Sequence, residues 1–317
     1  MTSALLVRNP IARHRLSDAQ LAGVTVTAGA AGWNLEVVST DRAGAATTVA
    51  RDAAARGIDV LIVHGGDGTV NEAINGLAHT NTALAVLRGG TANVWAKEIG
   101  VSKDPVKAMH MIVTGERRTV DLGRANDRHF LLMCGIGLDA RIVDSVGVRM
   151  KRRFGAAAYV VAGVATALTT KPWSVDLSLE QQDSPTSPNS PSPRMWRGGR
   201  GVRSNLYWML AGNTRSYGGM VQLTHRALID DGALDVALMR KGNALRLLRD
   251  GALALFKRHE RSPNIAYTRT RAIEITTPGI PIQLDGEACG ETPVRIDCAP
   301  AALQVIVPRG LRSPLWS

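Results

Sequence analysis

Val60-Leu61-Ile62-Val63-His64-Gly65-Gly66-Asp67-Gly68-Thr69-Val70-Asn71-Glu72-Ala73-Ile74-Asn75 is the stretch that decides the fold. An apolar, largely β-branched run ends at a glycine cluster, and a helical pattern starts behind it. Gly65, Gly66 and Gly68 carry no side chains, so a ligand can come close to the main chain there. A helix opened by Thr69 and running from Val70 to about residue 78 would aim its unpaired N–H groups and positive dipole end at that ligand. An anion is expected. The pattern is neither the Gly-x-Gly-x-x-Gly of a dinucleotide fold nor the Walker sequence, because no Lys-Ser or Lys-Thr pair follows the glycines. Asp67, inside this turn, would repel a phosphate unless a cation lay between them, and Mg²⁺ is commonly held between carboxylates and substrate phosphates. The stretch points to nucleotide chemistry.

Around it, strand and helix alternate. Strands are expected at 5–8, 35–39, 60–63 and 84–87, and helices at 18–31, 43–56, 70–78, 92–98 and 105–113. Such spacing predicts an α/β domain, a parallel sheet with helices on both faces, whose ligands bind at the carboxyl ends of the strands. A second turn, Arg88-Gly89-Gly90-Thr91-Ala92-Asn93, falls at the same edge, so two glycine turns can grip one ligand. From about residue 119 the texture becomes strand-like, with helical interruptions at 159–168 and 244–257. A C-terminal domain built as a β-sandwich or barrel is predicted. The division expected is 1–118 and 119–317, with room for the last residues to return to the first domain. The Pro/Ser-rich stretch 183–203 lies between two strands and reads as a disordered hairpin loop, with membrane tethering through Trp196 as the other use.

A chain of 317 residues with a net charge of +11 favours an anionic partner. Nucleic acid is disfavoured, since aromatic residues make up 4% of the chain and no basic stripe is interleaved with Phe or Tyr. The clusters Arg149-Met150-Lys151-Arg152-Arg153 and Lys257-Arg258-His259-Glu260-Arg261 suit an anionic membrane surface and suit a solvated basic face equally. Leu245-Arg246-Leu247-Leu248 fits a docking face or an amphipathic core helix. No apolar run is long enough to span a bilayer and no leader pattern opens the chain, so a cytoplasmic protein is expected. Cys134, Cys289 and Cys298 have neither disulfide-framework nor zinc spacing and are expected to be buried thiols.

The second domain has polar stretches of its own, Asn213-Thr214-Arg215-Ser216-Tyr217-Gly218-Gly219, then Asp231-Gly232-Ala233-Leu234-Asp235, and later Leu284-Asp285-Gly286-Glu287. Together with Asn9-Pro10, both glycine turns and Gly135-Ile136-Gly137-Leu138-Asp139-Ala140, these motifs run over nearly the whole chain. In that order the sequence resembles the diacylglycerol kinase catalytic family, bacterial lipid kinases related to sphingosine kinases and NAD kinases. The resemblance implies an ATP- and Mg²⁺-dependent kinase acting on the hydroxyl of a diacylglycerol-like lipid, docked peripherally at the inner membrane surface. It implies nucleotide contacts at Asn9, Thr40, Gly65, Gly66, Asp67, Gly68, Thr69, Val70, Asn71, Glu72, Gly90, Thr91 and Asn93. Asp285 is implied as the catalytic base, with Glu287 and Asp67 assisting through metal or water. Asp231, with the carbonyls of Leu228 and Ala233, is implied as a structural Mg²⁺ site. A homodimer is compatible with the chain, whose sequence does not set its oligomeric state. An NAD kinase-like enzyme and a non-catalytic lipid or nucleotide sensor are the alternatives. The chain departs from the family pattern at Asn9-Pro10-Ile11-Ala12-Arg13, which lacks a Ser-Gly ending, at Val94, where many members carry aspartate, and at Arg88, often proline.

Overall fold

Ser17 and Gln20 form a reciprocal capping box that starts α1 (Asp18–Ala30), and Asp104 with Pro105 starts α5 (Pro105–Val113) in the same local way. Between them the chain runs β1 (Thr2–Arg8), α1, β2 (Trp33–Ser39), α2 (Ala45–Ala55), β3 (Val60–Gly65), α3 (Asp67–Leu77), β4 (Ala83–Arg88), α4 (Val94–Glu98) and α5. The computed structural model describes residues 1–145, 166, 170–181, 202–218, 222–240, 262 and 264–317. The helices expected at 159–168 and 244–257, apart from the isolated Thr166, both basic clusters, Leu245 to Leu248, Gly219 and residues 183–201 of the Pro/Ser-rich stretch with Trp196 lie outside the described residues, whereas Val202 and Arg203, expected in that loop, already belong to a strand.

The described chain divides into two compact units. The first comprises Met1–Leu122, His129–Leu131 and Pro300–Ser317, and the second Gly123–Arg128 and Leu132–Ala299. The first unit thus runs a few residues beyond 118, and the chain end belongs to it.

In the first unit β2, β1, β3 and β4 lie side by side in that order, all parallel, with Leu6 beside Ile62 and Ile62 beside Ala85. Every residue of β3 is buried, as expected of a strand covered on both faces. Helix α1 packs with α5, and α2 with α3. The order reverses between β1 and β3, so their carboxyl ends flank the topological switch point where open α/β sheets bind ligands. Asn9 follows β1 there, and Gly65 ends β3.

The strand β5 (Glu116–Ala125) leads toward the second unit, followed by β6 (Arg128–Phe130), β7 (Met133–Gly137) and α6 (Leu138–Ser145). Then come β8 (Trp173–Gln181), β9 (Val202–Gly212), β10 (Leu234–Arg240), β11 (Ile265–Ile275), β12 (Pro281–Leu284), β13 (Glu287–Glu291) and β14 (Val294–Val307). The pairing is antiparallel in the order β13, β12, β7, β9, β10, β11. Strand β8 pairs with both β9 and β11, which β10 also joins, so these four strands close on one another as a β-sandwich-like domain. Cys134 is buried, whereas Cys289 and Cys298 are half-buried, which corrects the expectation of three buried thiols. Among the described residues no helix is long and apolar enough to cross a membrane.

Candidate active site

In the first unit the two glycine turns touch. A Cβ on Gly90 would lie 2.5 Å from the Cα of Gly66, so the turns can meet only because residue 90 is glycine. Asn93, in the left-handed region at φ 45°, closes the contact: its Nδ2 donates to the Gly65 carbonyl at 2.9 Å and its Oδ1 accepts from the Gly90 N–H at 2.8 Å. That conformation also delays α4, which starts at Val94 rather than at 92.

Helix α3 starts at Asp67, earlier than the expected Val70, because Gly66 is extended and takes the N-cap position. No side chain caps it, so the N–H groups of its first turn suit an anion. The Asp67 carboxylate reaches the second turn, where Oδ2 accepts from the Asn93 N–H at 2.9 Å and Oδ1 from the Val94 N–H at 2.7 Å. Asp67 therefore clasps the two turns together. The backbone of Val94 makes this link, although its side chain is an apolar residue buried in α4.

The remaining predicted nucleotide residues fall into two groups. Asn9 Nδ2 donates to Thr69 Oγ1 at 3.2 Å, the Thr40 N–H donates to the Arg8 carbonyl, and Arg13 reaches Thr91 Oγ1 at 3.4 Å. These residues border the cradle with Gly65, Gly66, Gly68 and Gly90. Val70, Asn71 and Glu72 are engaged in holding the unit together instead. Val70 is buried, Asn71 Nδ2 donates to the His129 carbonyl, and Glu72 Oε2 accepts from the Ala46 N–H, capping α2 where Gly44 offers no side chain. Position along a helix, not the motif, decides which of these residues can face a ligand.

His64 lies directly beneath the cradle, 2% exposed, with its carbonyl accepting from the Asn9 N–H. Its imidazole Nδ1 has no partner among the described residues. Burial, aided by the charge of Arg8, holds the imidazole pKa below its ordinary value against the opposing hydrogen bond with the His14 backbone. The folded protein thus binds this proton less readily than the unfolded chain, so the stabilising contribution is complete above about pH 6.5 and is lost as pH falls through that range. Melting temperature should fall more steeply between pH 7.5 and 5 in the wild type than in His64→Leu; parallel profiles would exclude His64 as the source.

In the second unit Leu284-Asp285-Gly286-Glu287 is a two-residue hairpin between β12 and β13, with Asp285 at φ 50° and Gly286 at φ 86°. Asp285 is 9% exposed. Its Oδ1 accepts from the N–H groups of Leu132 at 2.9 Å and Met133 at 3.0 Å, and its own N–H donates to the Met133 carbonyl at 3.0 Å. Glu287 follows on β13, partly exposed and paired across the hairpin with Leu284. Three residues meet behind this turn: Asp139 and Tyr217, each inside a motif without a role of its own, and Gln283. The Asp139 carboxylate, 2% exposed, accepts from the Tyr217 hydroxyl and from Gln283 Nε2. Burial raises its pKa, and the bonds from Tyr217 and Gln283 oppose that rise. Glycines flanking Ile136 just before an aspartate were the available signal.

The set expected to hold structural Mg²⁺ centres on Asp231. Asp231 Oδ1 accepts from the Ala233 N–H at 3.0 Å, and Oδ2 is paired with the Arg269 guanidinium. No cluster of three or more His, Cys, Asp and Glu with metal-binding geometry occurs among the described residues.

A parallel α/β unit with paired phosphate-type turns, followed in one chain by an antiparallel unit carrying an acidic hairpin, defines the class of two-domain kinases with a β-sandwich-like C-terminal domain. Residues 3–125 match the diacylglycerol kinase catalytic domain, and residues 133–307 match the YegS C-terminal NAD kinase beta sandwich-like domain. The chain belongs to the diacylglycerol kinase and YegS-like lipid kinase family. It is 26% identical over 313 residues to a diacylglycerol kinase of Bacillus subtilis, covering 98% of this chain and 97% of that one. A diacylglycerol kinase of Mycobacterium tuberculosis is 31% identical over 263 residues, covering 81% and 79%. In fold the chain is similar to the crystal structure of a diacylglycerol kinase from Bacillus anthracis, with a TM-score of 0.75, 24% identity and 98% of each chain covered.

Proposed function

We propose that this protein is an ATP- and Mg²⁺-dependent lipid kinase that transfers the γ-phosphate to the hydroxyl of a diacylglycerol-like lipid. The observation that carries the reading is the contact of Gly66 with Gly90 at the carboxyl ends of β3 and β4, a backbone cradle beside an uncapped helix start. Phosphoryl transfer asks mainly for positioning, charge neutralisation and an acceptor for the hydroxyl proton. The first unit would hold the nucleotide phosphates on backbone N–H groups, with Asn9, Thr40, Thr69 and Thr91 around them. Mg²⁺, brought in on the nucleotide, would supply charge neutralisation. In the second unit Asp285 would take the proton of the lipid hydroxyl as its oxygen bonds to phosphorus. The net charge of +11 supports peripheral docking at an anionic surface from the cytoplasmic side.

The test is transfer of labelled γ-phosphate from ATP with Mg²⁺ to diacylglycerol, monoacylglycerol, sphingosine, ceramide or phosphatidylglycerol in anionic micelles, with NAD as soluble control. Label in diacylglycerol is the expected result. Label in NAD alone would move the activity to a soluble kinase, and ATP binding without transfer to any acceptor would leave a sensor.

A further inference from the structure

The side chains behind the Asp285 hairpin form a closed ring of hydrogen bonds. On one side, the N–H groups of Leu132 and Met133 hold Asp285 Oδ1, while the Leu132 carbonyl accepts from the N–H groups of Asn213 at 2.9 Å and Thr214 at 3.2 Å. The loop that begins at Asn213 runs on to Tyr217, whose hydroxyl donates to Asp139 Oδ1 and whose ring meets Trp208 edge-on. On the other side, Gln283 Nε2 donates to Asp139 Oδ2 at 2.6 Å, and Gln283 Oε1 accepts from the Gly286 N–H at 2.7 Å. Gly286 adjoins Asp285, so the ring is complete.

Chemistry fixes the direction of each bond. The Gly286 N–H can only donate, so Gln283 must turn Oε1 toward it, which aims the Gln283 NH₂ at the Asp139 carboxylate. The site has been kept clear for this. A Cβ on Gly135 would lie 1.7 Å from Asp139 Oδ2 and 2.5 Å from Gln283 Nε2. A buried carboxylate is costly in an apolar interior even when hydrogen-bonded, and a stability role alone would be served as well by apolar packing. What the ring does secure is the placement of the hairpin led by Asp285, whose left-handed backbone at φ 50° is one that aspartate adopts in two-residue turns.

We infer that Asp139 is a positioning residue for the proton acceptor: through the Gln283 amide it fixes the Asp285 hairpin, and through Tyr217 it ties that hairpin to the Asn213–Tyr217 loop. The inference rests on Asp285 being the base of the proposed reaction. Ordering of the loop and alignment of the base are then one event.

The test is a reciprocal exchange. Gln283→Glu sets two carboxylates against each other and should lower kcat about 30-fold, within the coupling measured for contacting pairs, while the KM for ATP stays unchanged. Adding Asp139→Asn restores the donor in the opposite sense: Asn Nδ2 donates to the new glutamate, whose other oxygen accepts from Gly286, and Asn Oδ1 accepts from Tyr217. The double variant should recover most of kcat. Should Gln283→Glu fail to fold, Gln283→Met, similar in length without either polar atom, carries the test through the same loss of kcat at constant KM for ATP. A Gln283→Glu or Gln283→Met variant with wild-type kcat overturns the inference, as does a folded double variant no faster than the single. A wild-type protein that transfers phosphate to no lipid overturns instead the reading beneath it.

Discussion

Asp285→Asn is expected to lower kcat for lipid phosphorylation by about 10²- to 10⁴-fold, the range that a positioned general base contributes, with the KM for ATP little changed. Asparagine is the informative replacement because the surrounding structure accepts it. Its carbonyl oxygen can take both N–H bonds now made to Oδ1 from Leu132 and Met133, and asparagine tolerates the left-handed conformation at φ 50°. The hairpin therefore keeps its shape and loses only the capacity to accept a proton. Alanine would confuse the two effects, since it abandons two buried N–H donors and strains the turn, at a cost of about 1–3 kcal/mol for each donor left unpaired. The measurement is single-turnover transfer of labelled γ-phosphate, with melting temperature as the check on folding. An asparagine variant that retains more than about a tenth of wild-type kcat would place the base elsewhere, since a positioned base is worth at least ten times more than that.

The elements of the first unit were legible because their signals are local. An apolar run ending in glycine specifies structure within a few residues, and the Ser17–Gln20 and Asp104-Pro105 helix starts found in the structure act over the same short distance. Both glycine turns could be put on one sheet edge from strand order alone. That they touch could not, because the Gly66–Gly90 contact depends on the pairing of β3 with β4. The fates of Asn71 and Glu72 were hidden for the same reason. Each belongs to the motif that resembles a nucleotide site, yet its partner, the His129 carbonyl or the Ala46 N–H, is supplied by a distant segment. Asp67 shows the effect most clearly. A carboxylate in a phosphate turn suggests a bridging cation, whereas its two oxygens clasp the N–H groups that begin α4. In the second unit, Asp139 and Gln283 lie 144 residues apart and meet only through the pairing of β7 with β12.

Gly90→Ala should weaken ATP binding by about two orders of magnitude, near 2.7 kcal/mol. The added methyl would lie 2.5 Å from Gly66 Cα and 3.3 Å from Asn93 Nδ2. The first contact is with backbone and cannot be relieved by turning a side chain, so the two turns must part. Their parting strains a set of bonds that share the same residues: Gly89 N–H to the Gly65 carbonyl at 3.0 Å, Gly90 N–H to Asn93 Oδ1 at 2.8 Å, and Asn93 Nδ2 to the Gly65 carbonyl at 2.9 Å. Overpacking of this kind typically costs about 1–3 kcal/mol in stability. Binding should suffer more than folding, because a phosphate held by backbone N–H groups from both turns senses their spacing directly, whereas the sheet beneath remains paired. Gly29→Ala is the matched control. That glycine lies within α1 with nothing inside 4 Å of an added Cβ, so alanine should leave ATP binding unchanged and stabilise the helix by roughly 0.5–1 kcal/mol. Titration calorimetry of both variants with ATP and Mg²⁺, beside their melting curves, separates the two effects. Wild-type affinity in a folded Gly90→Ala protein would mean that the nucleotide does not rest on the paired turns, and the cradle would have to be sought on another edge of the sheet.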